Sequence, residues 1–417
     1  MFKKILCTAL ALLMCVSCVA ALSACSGKGD FKVGFICLHD ENSTYDKNFL
    51  EGAKAACEAA GLEEDQVIYK KNIPESNDCY VAAKDLVDQG CDVIFANSFG
   101  HEDYIIQAAK EFPEVQFCHA TGTKAHTEEN LPNFQNAFAS IYEGRFLAGI
   151  AAGMKLNEMI DAGEITAEQA KMGYVGAFTY AEVISGYTSF YLGAKSVCPS
   201  VTMEVSFTGS WYDEAKEKTA AEKLIANDCV LISQHADSMG APTACENAKV
   251  PNVSYNGSTL SACPNTFIVS SRINWEPYFT YMIEQTKKGE DIATDWTGSI
   301  STGSVVLTDV NEKAAAAGTA DAIAAAKAKL ENGTLKVFDT ATFTVSKTNA
   351  KGDAINANAT VDENGKLTSY KADVDTDAAF AGDTEVVANG VFEESKHRSA
   401  PYFDLQIDGI TLLDVAF

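Results

Sequence analysis

The chain has 417 residues, of which 57 are acidic and 32 are basic, so its formal net charge is −25. That length suits two to three domains at about 150 residues each, and 47% apolar residues can form real cores, which excludes a disordered chain. Such an acidic surface repels phosphate backbones and anionic headgroups, so nucleic-acid binding and peripheral attachment to anionic lipid are both disfavoured.

The first 25 residues are typical of an export signal. Two lysines precede a long apolar run, and the tetrad Leu22-Ser23-Ala24-Cys25 follows it. The tetrad resembles a bacterial lipobox, in which the cysteine carries a diacylglyceryl group and becomes the first residue of the mature chain. We therefore expect residues 1–24 to be removed and Cys25 to anchor the protein on the extracytoplasmic face of the cell membrane, since two acyl chains give stable anchoring. An ordinary signal peptide with a chance cysteine is the alternative.

Nine cysteines follow Cys25, and no two of them have the C-x-x-C spacing. An odd number cannot all pair within one chain, and most lie in apolar contexts, where cysteine packs as a small hydrophobe. We expect mostly free, buried thiols. A Cys198–Cys263 or a Cys229–Cys245 disulfide stays open.

Short apolar runs and helical patterns alternate along most of the chain. Strands are predicted at residues 32–38, 67–72, 91–97, 115–120, 133–139, 171–177, 202–208, 229–234, 253–256 and 267–271. Helices are predicted at residues 45–60, 78–89, 101–111, 142–156, 181–196, 212–226, 239–249 and 277–288. This order is typical of an α/β fold with helices on both faces of parallel sheets, and its restart at residue 171 indicates two doubly wound domains. Ligands of such sheets bind at the carboxyl ends of the strands.

The C-terminal part of the sequence has a different character. Residues 314–330 predict an Ala-rich helix, and from residue 346 the composition changes to Asn, Asp, Thr, Ala and Gly. Residues 361–367 predict a β-hairpin turn, and residues 403–410 alternate as a strand does. We interpret 346–417 as an ordered C-terminal appendage, to which the sequence assigns no role.

No catalytic arrangement is visible in the sequence. The motifs H-E-x-x-H, G-x-S-x-G and G-x-x-x-x-G-K-[ST] are all absent. The histidines are scattered, and the spacing of His101, His119 and His126 matches no zinc pattern. We therefore predict a protein that is not an enzyme, with no metal site and no cofactor.

The residues that carry information about function lie directly after predicted strands. After the first strand, helix capping explains one of Ser43, Thr44 and Asp46, but not the whole polar cluster. In the functional interpretation, Tyr45 is a stacking platform and Asp46 accepts a hydrogen bond from a ligand. Later strands are followed by Asn97-Ser98-Phe99-Gly100, His235-Ala236-Asp237-Ser238, Tyr255-Asn256-Gly257 and Asn274-Trp275-Glu276. Aromatic and carboxamide side chains at strand ends in both halves favour a binding cleft, although Trp275 is equally compatible with a place in the core.

At these residues the sequence resembles the basic-membrane-protein (Bmp/Med) family of substrate-binding lipoproteins, which includes the purine-nucleoside receptors of ABC importers. The resemblance covers roughly residues 31–345, and it is carried by residues 43–52, 97–103, 142–149, 173–178, 235–238 and 274–278. It implies a type I periplasmic-binding-protein fold, with two doubly wound parallel-sheet lobes around a ligand cleft. Crossovers are expected near Phe138, Ser271 and Ser301. Lobe one is then 31–138 plus 272–300, and lobe two is 139–271 plus 301–345.

The resemblance also implies the site. In the family a purine is stacked between aromatic rings, which places Tyr45 and Asp46 against the base and makes Phe178 the partner ring from lobe two. The remaining lining residues are then Ser98, Phe99, Asp237, Asn256 and Trp275. Nucleoside receptors often carry an acidic residue after the fourth strand, and residues 117–122 contain none. A free base or another heterocycle therefore stays an alternative to a nucleoside.

The function implied is that of an extracytoplasmic solute-binding lipoprotein of an ABC importer, which delivers a purine nucleoside or related base to the permease. We expect a monomer whose partners are the small-molecule ligand, the ABC permease and, through the anchor on Cys25, the membrane. One alternative is a sensor lipoprotein that signals through a membrane receptor. A surface enzyme such as a nucleoside hydrolase is another, for which Asp40, Glu41 and Asp46 form the only dense acidic group.

Overall fold

A computed structural model describes residues 30–125, 129–349, 351–374, 382 and 384–417. The predicted signal segment, the predicted lipidation site Cys25, and His126 lie outside the described residues. Within the described ranges, no helix combines the length and the apolar character needed to cross a membrane.

The first lobe is built on a six-stranded sheet in which all strands are parallel. Its strands are β1 (Val33–Ile36), β2 (Val67–Lys70), β3 (Val93–Ala96), β4 (Gln116–Ala120), β5 (Phe134–Ala139) and, from later in the chain, β11 (Asp295–Gly298). The order across the sheet is β11-β5-β4-β3-β1-β2. The central strands β1 and β3 are buried along their whole length, as expected when helices cover both faces of a parallel sheet.

Four helices cover this sheet, and their apolar stripes determine which face each one occupies. They are α1 (Thr44–Ala59), α2 (Asn77–Asp88), α3 (Glu102–Glu111) and α8 (Glu276–Lys288). Helices α1 and α8 pack together on one face, around Phe35, Phe49 and Phe95. Helices α2 and α3 pack on the other face, around Ile36 and Ile94. Successive side chains of β1 and β3 thus point to opposite faces, as the period of a strand requires.

The second lobe is built on a seven-stranded sheet of order β12-β10-β9-β8-β6-β7-β18. Its strands are β6 (Lys171–Gly176), β7 (Thr202–Phe207), β8 (Leu231–His235), β9 (Asn252–Tyr255), β10 (Phe267–Ile273), β12 (Val305–Leu307) and β18 (Ile410–Leu412). All neighbours are parallel except the β10–β12 pair. Its helices are α4 (Ile141–Asp161), α5 (Ala181–Val197), α6 (Glu214–Ala226), α7 (Gly240–Ala248) and α9 (Thr319–Glu331).

Between β1 and β12 the chain crosses from one lobe sheet to the other three times, after Ala139, after Ile273 and after Gly298. The two doubly wound sheets predicted from the sequence are therefore confirmed. The predicted residue boundaries of the two lobes stay a prediction.

The region after residue 313 differs from the sequence prediction in two places. The Ala-rich helix begins at Thr319 because Gly318, with φ +80°, breaks the helical path before it. The strand predicted at 403–410 is wrong: Phe403, Leu405 and Ile407 are buried without strand pairing, and the terminal strand is β18, which pairs with β7. The predicted hairpin is confirmed, since β13 (Ala359–Val361) runs antiparallel to β14 (Leu367–Ala372).

Three short strands complete this region: β15 (Thr384–Glu385), β16 (Val387–Ala388) and β17 (Val391–Phe392). The nine cysteines that follow Cys25 all lie in the described residues, where each is buried and free. Neither of the two disulfides left open by the sequence therefore forms, and cysteine serves here as a small apolar core residue.

Candidate functional site

A cavity lies between the two sheets, where the carboxyl ends of their strands face each other. Its lining comes from the first lobe through Leu38, His39, Tyr45, Asp46, Ser98, Phe99 and Thr121, and from the second through Glu182, Trp211, His235, Asp237 and Asn256. The space between its lining atoms, part of which is open to solvent, amounts to about 360 Å³. The cavity is narrow, because its two walls lie close to each other. It lies in an inter-lobe cleft whose two sides are in contact, through Thr44 and Asp237 and through Phe99 and Tyr180.

Asp46 is held as a buried hydrogen-bond acceptor on the first lobe. Ser43 caps α1 by accepting a hydrogen bond from the Asp46 N–H, which leaves the Asp46 carboxylate available for other partners. Its Oδ1 accepts from the His39 N–H at 3.1 Å and from Asn97 Nδ2 at 2.7 Å, while Oδ2 lies 3.4 Å from His39 Nδ1. Burial alone would raise the pKa of Asp46, but the hydrogen bonds from His39 and Asn97 outweigh it and lower that pKa below its usual value. Asp46 is therefore ionised at neutral pH.

Tyr45 forms an aromatic wall of the cavity. Its hydroxyl donates to the Asn97 carbonyl oxygen at 2.6 Å, and its ring meets Phe49 edge-on with centroids 4.8 Å apart. Burial raises the pKa of Tyr45 well above its usual value, so the hydroxyl stays neutral. With both ends of its side chain held by the first lobe, the ring has a fixed orientation before any ligand binds.

Ser98 and Phe99 differ in what they offer to the cavity. The Ser98 hydroxyl donates to Glu75 Oε1 at 2.7 Å, so it is directed away from a ligand. Phe99 is 40% exposed, and its ring lies 5.5 Å from that of Tyr180 on the second lobe. Phe99 thus meets the opposite lobe at the rim of the cleft.

Asp237 and Asn256 line the cavity from the second lobe and also join the two lobes. The Asp237 carbonyl oxygen accepts from the N–H of Thr44 at 3.1 Å and from its hydroxyl at 3.2 Å. Asn256 Nδ2 donates to Asp237 Oδ1 at 3.1 Å, and Asn256 Oδ1 accepts from Asn48 Nδ2 at 3.5 Å. Burial, followed by repulsion from Glu217 and Asp46, raises the pKa of Asp237 well above its usual value.

Six lining residues were not selected as site residues from the sequence: Leu38, His39 and Thr121 in the first lobe, and Trp211, Glu182 and His235 in the second. The three of the second lobe add an aromatic ring and a carboxylate–imidazole pair. Trp211 follows β7, and Glu182 lies in the first turn of α5, directly after β6. Glu182 Oε1 lies 3.5 Å from Nε2 of His235, the last residue of β8, and burial lowers the pKa of His235. All three follow or end a strand, so the rule that selected Tyr45 and Asp237 could have placed them at the ligand edge of the sheet, whereas the packing of the two lobes decides that they line the cavity.

Two residues expected at the ligand are not brought to the cavity. Trp275 is only 1% exposed, and its ring stacks on Phe49 at 4.3 Å and packs against Phe95 and Phe279, so its place is in the core of the first lobe. Phe178 stands behind the lining, with its ring edge-on to Trp211 at 5.0 Å. The second lobe therefore presents Trp211 where the resemblance implied Phe178.

The acidic residue sought after the fourth strand is absent, as the sequence shows, but the cavity is nevertheless acidic. Thr121 occupies that position, and among the residues that the structure describes its buried hydroxyl has no hydrogen-bond partner. The carboxyl groups come instead from Asp46 in the first lobe and from Glu182 and Asp237 in the second. Ligand hydroxyls or N–H groups can thus find acceptors on both sides of the cavity.

The buried histidines of the first lobe are structural. His101 Nε2 lies 2.9 Å from the Ile73 carbonyl oxygen, and His119 Nε2 lies 2.7 Å from that of Ser98. Burial lowers the pKa of each to about 4, so both are neutral donors to backbone carbonyls. In the part of the chain that the structure describes, no group of three or more His, Cys, Asp or Glu side chains could hold a metal ion.

Glu217 gives the folded protein a measurable dependence on pH. It is buried, and its carboxylate accepts from the N–H of Asp213 at 3.0 Å and from that of Ser238 at 3.1 Å, while burial raises its pKa to about 7. Between its unfolded pKa of about 4.3 and this value, the folded chain holds a proton that the unfolded chain has lost, so stability falls as pH rises. We expect wild type to lose more free energy of unfolding from pH 5 to pH 8 than Glu217→Gln does.

Urea denaturation of both proteins at the two pH values tests this expectation. The buried histidines and the distant buried carboxyl groups Glu102 and Glu394 are present in both proteins, so their contributions cancel in the difference. Asp237 adds to the difference in the same direction, because loss of the Glu217 charge removes a repulsion that raises the pKa of Asp237. Glu222→Gln, on the exposed side of the same helix, is the matched control and should follow wild type. Parallel profiles for wild type and Glu217→Gln would contradict the assignment.

The comparisons with known proteins agree with this geometry. A family model described as an ABC transporter substrate-binding protein, PnrA-like, matches residues 35–337. A purine-binding protein of Brucella abortus is 32% identical over 251 residues, which span 60% of this chain and 66% of that protein. A putative ABC transporter glucose-binding protein of Haloferax volcanii is 32% identical over 216 residues, or 52% of this chain and 51% of that protein. The chain thus spans between half and two thirds of these two relatives.

A third relative and a solved structure extend the comparison. An ABC transporter nucleoside-binding protein of Lactococcus lactis is 24% identical over 253 residues, or 57% of this chain and 67% of that protein. A solute-binding protein of an ABC transporter system from Aeropyrum pernix has a TM-score of 0.60 at 17% identity, covering 74% of this chain and 93% of its own. The predicted periplasmic-binding-protein fold is confirmed by this likeness, and the prediction that the chain is not an enzyme is confirmed by the family. The chain belongs to the Bmp family of PnrA-like ABC transporter substrate-binding proteins.

Proposed function

We propose that this protein binds a purine nucleoside or a related purine base between its lobes and delivers it to the permease of an ABC importer. The observation that carries the proposal is the cavity itself, which is narrow, has aromatic rings from both lobes, and has carboxyl groups on both sides. The names of the Brucella abortus and Lactococcus lactis relatives point to the same class of ligand.

The chemistry of the lining suits a flat heterocycle that is rich in hydrogen-bond donors. Tyr45 and Trp211 offer ring faces, and stacking contributes about 0.5–1.5 kcal/mol per ring beyond the buried area. Asp46 is an ionised acceptor for a ring N–H or an exocyclic amino group, while Asp237 and Glu182 can accept from further N–H or hydroxyl groups. A ligand that lacks these donors leaves buried carboxylates unpaired, which penalises binding.

Closure of the lobes supplies the signal that a permease can read. Contacts between Thr44 and Asp237 and between Phe99 and Tyr180 already join the lobes in this conformation. A ligand that touches both lobes stabilises this closed form relative to an open one and so shifts the population toward it. In this proposal the protein acts as a monomer, exported and held at the extracytoplasmic face of the membrane by a lipid on Cys25.

A thermal-shift panel of the mature protein tests the ligand class. Nucleosides, free bases and sugars are compared, because the Haloferax volcanii relative is named for glucose. A ligand at about 100 times its dissociation constant adds about 2.7 kcal/mol of stability, which is readily seen. A shift with nucleosides or bases supports the proposal. The proposal would be overturned if glucose alone shifted the melting temperature, or if none of the purines did.

Tyr45→Ala should weaken purine binding by about 1–3 kcal/mol, because one stacking surface is lost. Titration calorimetry of wild type and variant measures the difference directly. Tyr80→Ala is the matched control, since Tyr80 is half-buried on α2 and does not line the cavity. Unchanged affinity in Tyr45→Ala would remove Tyr45 from the site.

A further inference from the structure

The end of the chain returns to the cleft. The family match stops at residue 337, yet strand β18 adds to the edge of the second lobe's sheet, in register with Met203–Val205 of β7. After the strand, the N–H of Leu413 donates to the Val205 carbonyl oxygen at 2.9 Å. Because β18 runs parallel to β7, it carries the following residues toward the carboxyl ends of the strands, where the cavity lies.

Asp414 fastens the chain at that edge. Its Oδ1 accepts from the N–H of Phe207, the last residue of β7, at 2.6 Å. Its Oδ2 accepts from the Ser206 hydroxyl at 2.8 Å and lies 3.5 Å from Lys223 Nζ. One carboxylate thus ties the segment to β7 and to α6 together.

Ala416 then makes a reciprocal pair of hydrogen bonds with the loop between β6 and α5. The Thr179 N–H donates to the Ala416 carbonyl oxygen at 2.7 Å, and the Ala416 N–H donates to Thr179 Oγ1 at 2.9 Å. Thr179 is therefore held through both its backbone and its side chain by a segment more than 200 residues away in sequence.

Thr179 lies between two residues that build the aromatic side of the second lobe. The rings of Phe178 and Tyr180 stack at 5.2 Å, with an angle of 12° between their planes. Phe178 supports Trp211, which lines the cavity, and Tyr180 faces Phe99 across the rim of the cleft. The contacts that fix Thr179 therefore also help to position the Trp211 ring, which lines the cavity, and the Tyr180 ring, which meets the other lobe.

We propose that residues 410–417 are a positioning element of the ligand site: they hold the 178–180 loop so that Trp211 and Tyr180 stand in place for closure of the cleft. This inference rests on the proposed function for its effect on ligand binding. Its structural part, the fixing of the loop, can be tested with no ligand present.

Hydrogen–deuterium exchange of the full-length protein provides that test. Asp414→Ala removes the contacts that hold the segment to β7 and α6, and a second variant that lacks residues 413–417 removes Ala416 itself. In both, exchange at Thr179 should speed up by tenfold or more, since its N–H is no longer held by the Ala416 carbonyl oxygen. Asp408→Ala is the matched control, because Asp408 accepts from Thr344 and Ser346 at the opposite end of β18. Exchange at Thr179 in that control should equal that of wild type.

Ligand affinity is the second readout. The ligand is the purine that gives wild type the largest thermal shift. Its dissociation constant should rise on the order of tenfold in Asp414→Ala and in the variant that lacks residues 413–417, since misplacing a preorganised wall of the site costs affinity. It should stay unchanged in Asp408→Ala. Unchanged exchange at Thr179 in the two variants would overturn the inference, and so would faster exchange with unchanged affinity. If no purine binds wild type, the proposed function fails, while the exchange data still decide whether the segment positions the loop.

Discussion

Trp275→Ala should lower the free energy of unfolding by about 3–5 kcal/mol, the range measured for removing a large aromatic ring from a core. The ring is only 1% exposed and stacks on Phe49, while the Cβ of Trp275 packs so closely against Gly52 that a side chain on that glycine would collide with it. Since α1 and α8 meet at this ring, its removal leaves a cavity between two helices and the sheet, which the surroundings can fill only in part.

Trp211→Ala should give the opposite pattern. Trp211 is half-buried and lines the ligand cavity, so its loss should change the stability of the free protein little and should weaken purine binding by about 1–3 kcal/mol. Urea denaturation and calorimetric titration on both variants separate the two roles. If Trp275→Ala bound the ligand more weakly and were as stable as wild type, the assignment of Trp275 to the core would be contradicted. Trp275 would then contact the ligand, as the sequence suggested.

Gly193→Ala should destabilise the protein by about 2 kcal/mol or more, although alanine favours a helix over glycine by about 1 kcal/mol. At this position on α5, a Cβ would collide with the Phe146 carbonyl oxygen of α4, and at Gly149 on α4 a Cβ would collide with the Phe190 carbonyl oxygen. The two backbones touch through reciprocal glycines, so neither helix can yield without moving the other. Because interiors packed this closely have no room for an added methyl group, the cost of the overlap exceeds the gain in helix propensity.

Gly186→Ala, on the same helix, is the matched control. The atoms nearest to its added Cβ all belong to side chains, those of His235 at 3.0 Å and Tyr174 at 3.6 Å, and a side chain can shift where a backbone cannot. We therefore expect the midpoint of urea denaturation of Gly186→Ala to lie near that of wild type. The midpoint of Gly193→Ala should be clearly lower. Equal midpoints for Gly193→Ala and wild type would show that the helices separate more easily than their contact implies.

Local patterns in the sequence were enough to predict the layers of the fold and six of the residues that line the cavity. Buried strands appear in the sequence as continuous apolar runs, and the start of a helix is marked by an N-cap residue such as Ser43 followed by an amphipathic pattern. Both signals depend only on local chain geometry. Residues after a strand reach the ligand edge of a parallel sheet, which is why Tyr45, Asp46, Asp237 and Asn256 could be selected in advance.

Which aromatic rings reach the cavity depends on the packing of the folded chain. Trp275 follows a strand as Trp211 does, but the phenylalanines of α1, β3 and α8 enclose it. Trp211 packs edge-on against Phe178 and still reaches the cavity. Local sequence cannot separate the two cases, because the neighbours that enclose or expose a ring come from elements distant in the chain.

The same reason applies to the acidic residues and to the end of the chain. Glu182 becomes a lining residue because the second lobe closes against the first, and the terminal strand finds β7 across some 200 residues of sequence. Strand pairing and lobe closure are long-range contacts, whose partners are set by the packing of the whole molecule, so no periodicity or spacing within a segment could have revealed them.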